Sequence, residues 1–204
     1  REALLGGWYE QEESRHVPGL VRPGDRVLEL GSGLGYVTTV LARCAAVEEV
    51  HSIEANPQLA RLAARTVALN GMASKVTVHN AVAMPSPAVS EASFYVRHEF
   101  WASSLDDGQP YVKAITVPVV DLDALIAEVR PTLLVIDIEG GEVELLEKVE
   151  LGSVRRVFAE LHQGPIGRDG MRRVFSAMAA RYFHYDQDHS EGSVVLFSRV
   201  DRDD

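Results

Sequence analysis

The ten residues RVLELGSGLG, numbers 26–35, join a short apolar run to a glycine-rich loop. The run 26–30 predicts a buried strand, and Gly31, Gly33 and Gly35 predict tight backbone turns directly after it. Open α/β sheets bind ligands beyond the carboxyl ends of their strands, which is where this loop lies. The stretch therefore predicts both an α/β fold and the place of its ligand.

Apolar runs and helical patterns alternate along the rest of the chain, which is typical of a parallel sheet with helices on both faces. Further strands are predicted at 50–54, 75–80, 133–138 and 154–161, and helices at 38–46, 57–69, 121–130, 142–150 and 169–181. The run 133–138 is nearly all apolar, so we expect it at the sheet centre. The runs 182–188 and 192–200, separated by 189–192, predict a hairpin.

Composition limits the class of protein. The chain has 204 residues, 46% of them hydrophobic, with no run long enough to span a membrane, which predicts one globular domain over 1–204. Twenty Lys and Arg against 30 Asp and Glu give a net charge of −10, which disfavours a nucleic-acid partner. With the single cysteine Cys44 and no recognisable secretion signal, we expect a reducing, cytoplasmic setting.

Two parts of this domain depart from the strand and helix rhythm. We expect 1–24 to form an N-terminal helical segment that can act as a lid. Residues 84–120 contain prolines and two β-like stretches, near 94–96 and 114–117, and we interpret them as an insertion near the active site.

The spacing of the glycines separates two classes of ligand. A dinucleotide fingerprint starting at Gly31 would need a glycine at position 36, where the chain has Tyr36. The Glu29 carboxylate would repel a pyrophosphate and suits a cation, and Glu54 ends the second strand, where an acid can accept both ribose hydroxyls. These residues describe a nucleoside with a cationic amino-bearing tail, which fits S-adenosylmethionine better than a nicotinamide dinucleotide. The alternative is that the glycines only permit close packing and Glu29 is solvated.

Several segments resemble a known family. The loop 29–35 and the segment IEANP at 53–57 resemble the cofactor half of class I S-adenosylmethionine-dependent methyltransferases. The segments WASSL (101–105), VDLDAL (120–125), LVIDIEGGE (134–142) and FAELH (158–162) resemble the FkbM-type methyltransferase family, with Gly141 where that family more often has alanine. The resemblance implies a doubly wound, Rossmann-like fold with a mostly parallel seven-stranded sheet and an antiparallel strand in the C-terminal hairpin.

The resemblance also implies O-methylation of a hydroxyl on a sugar, glycan or natural-product small molecule. The predicted cofactor-binding residues lie in the two motifs, at the end of the third strand, where adenine is expected, and at the end of the fourth: Glu29, Gly31, Ser32, Gly33, Gly35, Glu54, Ala55, Asn56, Asn80, Ala81, Val82 and Asp137.

Methyl transfer to a hydroxyl requires an aligned acceptor and removal of its proton. Under strand alternation Asp137 and Glu139 share a face at the carboxyl end of the fourth strand, and Glu160 and His162 share a face on the fifth, so we expect the four to meet. Asp137, Glu139 and His162 are the predicted catalytic residues. His162 is the best general-base candidate because its unperturbed pKa is near neutrality, with a purely structural role as the alternative. Glu160 is expected to orient it or to pair with Arg168.

A metal ion is a weaker prediction. The oxygen-rich side chains of Asp137, Glu139 and Glu160 suit Mg²⁺, which needs only one or two carboxylates. No spacing requires the ion, so we favour a site without metal.

In the insertion, Trp101, Ser103 and Ser104 are predicted to cover the cofactor or to line the acceptor site, with ordinary packing as the alternative for Trp101. Two other functions stay open: a non-catalytic S-adenosylmethionine-binding module, and a nicotinamide-dependent oxidoreductase, which Tyr36 and Glu29 disfavour. The oligomeric state also stays open, and a homodimer is one option.

Overall fold

The computed structural model describes residues 10–99 and 102–200. Its helices and strands follow in chain order: α1 Gln11–Leu20, β1 Asp25–Leu30, α2 Tyr36–Arg43, β2 Val47–Glu54, α3 Pro57–Leu69, β3 Val76–Asn80, β4 Val82–Met84, β5 Glu91–Val96, β6 Lys113–Asp121, α4 Leu122–Val129, β7 Leu133–Ile136, α5 Glu142–Lys148, β8 Arg156–Glu160, α6 Gln163–Ala180, β9 Phe183–Glu191 and β10 Val194–Arg199. Within these residues, no helix combines the length and the apolar character needed to cross a membrane.

A seven-stranded sheet forms the centre of the fold, in the order β3-β2-β1-β7-β8-β10-β9. In this sheet the neighbouring strands β3, β2, β1, β7 and β8 pair in parallel, whereas β10 pairs antiparallel with both β8 and β9. The predicted mostly parallel sheet with an antiparallel strand in its C-terminal hairpin is therefore confirmed. The predicted strand 133–138 does occupy the sheet centre, but it leaves the sheet after Ile136, two residues earlier than expected.

The central strand β7 is buried on both faces. Leu133 and Val135 pack with residues of α1 and α2 on one side of the sheet, and Leu134 and Ile136 pack with residues of α4, α5 and α6 on the other. Alternate residues of a strand point to opposite faces, so helices on both sides require an uninterrupted apolar run. This arrangement explains why the run was recognisable from sequence.

The segment 84–120 contains most of a second, smaller sheet of order β4-β6-β5, in which β4 pairs parallel and β5 antiparallel with β6. Both predicted β-like stretches are strands. Val82, Phe94 and Val117 form a separate small core beneath them. Helix α1 packs against α2 and β9. The single-domain boundaries and the lid role of 1–24 stay predictions, and residues 1–9 lie outside the described part.

Two boundaries differ from the predictions near the C-terminus. Helix α6 begins at Gln163, six residues before the predicted start, and its backbone is broken at Gly167, with φ 66° and ψ 177°. Glycine and proline are poor helix formers, so residues 164–168, with two glycines and a proline, carry no helical pattern. The hairpin turn is also shorter than expected, because β9 continues to Glu191 and Gly192, with φ +61°, makes the turn.

Candidate functional site

The glycine loop lies at the carboxyl end of β1, in contact with the ends of both neighbouring strands. Gly31 has φ +87°, and its N–H donates to the Ile53 carbonyl at 2.9 Å. A Cβ on Gly31 would stand 1.7 Å from the carbonyl oxygen of Asp137, so no side chain fits there. Gly35, with φ +77°, similarly meets Ala63 of α3, whose Cα would be 2.8 Å from an added Cβ. Both glycines therefore serve close packing, and their ligand role stays a prediction.

Glu54 connects this loop to β2. Its side chain is 6% exposed, and its two carboxylate oxygens accept hydrogen bonds from the N–H groups of Gly33, at 2.9 Å, and Asn56, at 2.7 Å. Burial raises the pKa of Glu54 to about 7, although these two N–H donors act to lower it. A ribose at this position would have to share the carboxylate with the loop backbone.

Glu29 is buried rather than solvated. It is 2% exposed, and its Oε2 accepts a hydrogen bond from Thr38 Oγ1 at 2.5 Å. Burial raises its pKa from the usual 4.5 to about 7. The alternative that Glu29 is a solvated carboxylate at a strand end is therefore wrong.

A small acidic cavity of about 10 Å³ borders the loop. Its wall combines the acidic residues Glu10, Glu29, Asp137 and Glu160 with the apolar residues Val37, Val135, Ile136 and Phe158. Sequence reasoning missed Glu10, whose Oε2 accepts a hydrogen bond from the first turn of α2 at 3.3 Å. The cavity is too small for a nucleoside, but the acidic residues around it favour a cationic group nearby over an anionic one.

The remaining residues that were predicted to bind the cofactor fall into two groups. Some form hydrogen bonds within the protein, and others are simply buried. The Asn56 side chain caps α3 by accepting from the Gln58 N–H at 3.0 Å, and Asn80 Nδ2 donates to the carbonyls of Glu54 and Ala55 at 2.9 and 3.0 Å. Ala81 and Val82 are buried. Ser32 is also buried, and its Oγ has no hydrogen-bond partner among the atoms that the structure describes.

His162 lies among four carboxyl groups at the carboxyl ends of β7 and β8. Its Nδ1 is 2.6 Å from Glu142 Oε1. Its Nε2 lies 3.6 Å from Glu139 Oε1 and 3.9 Å from both Asp137 Oδ1 and Glu160 Oε2. The structure therefore brings together the four residues that strand alternation predicted to meet, and it adds Glu142.

These neighbours change the protonation of His162. Burial acts to lower the pKa of the imidazole, but the hydrogen bond with Glu142 and the charges of Glu139, Glu160 and Asp137 raise it to about 9. The raised pKa favours the protonated ring at neutral pH, which disfavours the predicted role of His162 as general base. Burial also raises the pKa of Glu139.

Glu142, rather than Glu160, orients the His162 ring. Its side chain is 0% exposed, whereas Glu160 accepts from Ser193 Oγ at 3.1 Å through its other oxygen. Sequence reasoning treated Glu142 only as the start of a helix. The available signal was its place on the buried face of α5, three and four positions before Leu145 and Leu146.

Two of the insertion residues that were predicted to line the methyl-acceptor site form hydrogen bonds with Arg97. Ser103 and Ser104 are buried, and their hydroxyls accept from Arg97 N at 3.0 Å and from Arg97 Nη1 at 2.8 Å. Burial raises the pKa of Glu139, and the positive charge of Arg97 is among the smaller influences that oppose this rise. Trp101 lies outside the described residues, and the acceptor role of all three stays a prediction.

Comparisons with known proteins agree with this geometry. The family model of the methyltransferase FkbM domain matches residues 29–191. No curated protein matches the sequence significantly. Among solved structures, a methyltransferase from Geobacter sulfurreducens is 17% identical with a TM-score of 0.56, covering 94% of this chain and 80% of its own.

Two O-methyltransferases are similar at 14% identity and a TM-score of 0.54. The Bacillus cereus enzyme, solved in complex with S-adenosylhomocysteine, matches over 93% of this chain and 81% of its own. The S-adenosylmethionine-dependent enzyme from Thermotoga maritima matches over 94% and 66%. At these identities the structural similarity shows the fold alone. The assignment to a family rests on the match to the methyltransferase FkbM domain.

Proposed function

The chain belongs to the FkbM methyltransferase family, and we propose on that premise that it transfers a methyl group from S-adenosylmethionine to a hydroxyl of a small-molecule or glycan acceptor. The observation that carries the proposal is the group of acidic residues beside the glycine loop, with Glu29 on β1, Asp137 directly after β7 and Glu160 on the neighbouring strand β8. Their carboxyl groups suit the sulfonium and ammonium groups of this cofactor.

The loop also offers a free polar atom. Ser32 Oγ is buried without a partner among the described residues, and such a group costs free energy unless something bonds to it. A polar ligand group at the loop would satisfy it. Glu54 is assigned to the ribose, and 80–82 to the adenine. The unpartnered Ser32 hydroxyl supports a polar ligand at the loop, and the ribose and adenine assignments are part of the proposal.

The bound cofactor supplies a methyl group already activated by its sulfonium. The remaining chemistry is to hold the acceptor in line and remove its proton. We assign proton removal to the carboxylates Asp137 and Glu139, which follow β7 directly. His162 Nε2 lies within 4 Å of both and holds them by its charge. The choice of a hydroxyl rests on the resemblance to FkbM-type enzymes.

Calorimetry tests the cofactor assignment. S-adenosylhomocysteine should bind to the purified chain, and NAD should not, because the acidic cavity disfavours a pyrophosphate. Preferential binding of NAD would overturn the proposal in favour of an oxidoreductase.

Glu54→Gln tests the ribose contact. The substitution removes the carboxylate charge but keeps one acceptor oxygen, so the Kd for S-adenosylhomocysteine should rise about tenfold, the equivalent of about 1.4 kcal/mol. Glu48→Gln, on the same strand but exposed, is the matched control and should leave the Kd unchanged. An unchanged Kd in Glu54→Gln would remove this residue from the site.

Transfer itself is tested by incubating host extracts with methyl-labelled cofactor and identifying labelled products by mass spectrometry. A product that carries the labelled methyl group on oxygen, as a methyl ether, and that is absent with Asp137→Asn is the expected result. Tight cofactor binding without any labelled product would instead indicate a non-catalytic binding module.

A further inference from the structure

We propose that Asp137, Glu160 and His162 bind a divalent metal ion between the carboxyl ends of β7 and β8. This site goes beyond the proposed function, because metal binding can be measured without cofactor or acceptor. It also differs from the oxygen-only set considered from sequence, since His162 takes the place of Glu139.

The three side chains are already arranged around one point. Each offers one ligand atom, and these atoms lie within 4.8 Å of one another. His162 Nε2 is 3.9 Å from both Asp137 Oδ1 and Glu160 Oε2. Donors about 2.1–2.2 Å from one ion and on adjacent coordination positions are about 3.0–3.5 Å apart, so side-chain rotations of roughly an ångström would close the site. All three are partly exposed, which leaves room for water or an acceptor oxygen.

A fully buried carboxylate stands behind the histidine. Glu142 is 0% exposed and bonds to His162 Nδ1 at 2.6 Å, which turns Nε2 toward Asp137 and Glu160. Metal-binding histidines commonly donate their other N–H to such a carboxylate, which orients the ring. Glu142 Oε2 is buried and has no partner in the described part of the chain. A cation bound to Nε2, on the far side of the imidazole ring, would stabilise the negative charge of the Glu142 carboxylate electrostatically.

The charges around the ring favour a cation. Four carboxyl groups, those of Asp137, Glu139, Glu142 and Glu160, lie within 4 Å of this one imidazole. Like charges at such distances repel strongly in a partly buried site. In the metal-free protein the positive charge of the protonated imidazole offsets part of this repulsion. A divalent ion that binds Nε2 would displace the Nε2 proton to solvent and would put two positive charges in the place of one.

The donor set indicates the kind of metal. Imidazole nitrogen suits transition metals, whereas Mg²⁺ prefers oxygen ligands alone. We therefore expect Mn²⁺ to bind more tightly than Mg²⁺. If the proposed methyl transfer is correct, the ion would lie at the acceptor hydroxyl and make its proton easier to remove.

Electron paramagnetic resonance with Mn²⁺ tests the site on the full chain after dialysis against EDTA. One saturable Mn²⁺ per chain is expected, with nitrogen hyperfine coupling from His162. Glu160→Gln and His162→Ala should each weaken binding at least tenfold, and Glu142→Gln should weaken it about tenfold by releasing the ring. His189→Ala is the matched control, since His189 also pairs with a carboxylate, Asp186, at 3.1 Å, and it should change nothing.

Absence of saturable Mn²⁺ binding would overturn the proposal, as would binding that is unchanged in Glu160→Gln or that lacks nitrogen coupling. Circular dichroism of each variant shows whether a loss reflects unfolding, and Glu160→Gln preserves side-chain shape if His162→Ala does not fold. Calorimetry with S-adenosylhomocysteine on the same metal-free protein separates the two proposals. Cofactor binding without Mn²⁺ binding would reject only the metal site.

Discussion

The carbonyl oxygen of Asp137 leaves no room for a side chain at Gly31. The loop backbone approaches the end of β7 so closely that any Cβ would overlap this oxygen. Gly31 and Asp137 both line the small cavity beside the loop. Gly31 therefore contributes to packing and also lies at the candidate site.

Gly31→Ala should destabilise the protein more than the equivalent change at Gly71. Both glycines have positive φ, +87° and +74°, so both variants carry backbone strain of about 1–2 kcal/mol. Nothing described lies within 4 Å of a Cβ on Gly71, whereas Gly31→Ala adds the overlap with Asp137. Urea denaturation should show Gly31→Ala to cost at least about 1 kcal/mol more. Equal costs would contradict the close approach.

Helix α4 begins and ends at residues that can be identified individually. Asp121 ends β6 and accepts hydrogen bonds from the N–H groups of Asp123 and Ala124 at 3.0 and 3.2 Å. At the other end Arg130 adopts a left-handed conformation and stops the helix before Pro131. The helix is short because both of its ends are set by individual residues, and it packs Leu122 and Ile126 onto the sheet.

Asp121→Ala should lower the free energy of unfolding by about 1 kcal/mol, the usual cost of losing an N-cap. Asp121→Asn keeps an acceptor oxygen and should retain most of the stability. Chemical denaturation of both variants measures the difference, and an equal loss in both would show that the cap hydrogen bonds are not the cause.

At the scale of the whole molecule, the two ends of the sheet differ in how their charged residues are arranged. Carboxyl groups gather at the carboxyl ends of the strands, where the proposed site lies. At the opposite end, Asp25 accepts from Arg156 Nη2 at 2.6 Å and from Thr132 Oγ1 at 2.7 Å, and both charged side chains are nearly buried. This pair connects β1, β7 and β8 away from the site.

Asp25→Ala should therefore cost stability without affecting the site. Removing one partner of a buried ion pair leaves the other charge uncompensated, typically at about 3–5 kcal/mol. Asp169→Ala breaks the exposed pair with Arg172 and should cost less than about 0.5 kcal/mol. Denaturation measures both, and calorimetry on the folded protein should give the same Kd for S-adenosylhomocysteine. A weakened Kd in Asp25→Ala would mean that the two ends are coupled.

The buried carboxyls make stability depend on pH. Burial raises the pKa values of Glu29 and Glu54 from 4.5 to about 7, so the folded state holds their protons more tightly than the unfolded state. Their contribution to stability is present below pH 4.5 and is lost as pH rises toward and through 7. The melting temperature of the cofactor-free protein should fall between pH 5 and pH 8, and less so in Glu29→Gln. An identical fall in Glu29→Gln would contradict the raised pKa of Glu29.

The sequence by itself determined the order of the helices and of the main-sheet strands, the glycine loop at the end of β1 and the four residues that meet at the ends of β7 and β8, but it did not indicate strand β4. These follow from local periodicity and from strand alternation, which act over a few neighbouring residues. Only the tertiary structure decided the protonation of His162, the role of Glu142 and the ligand set of the proposed metal site. Those depend on desolvation and on distances between residues about twenty positions apart, and neither quantity is contained in a local pattern.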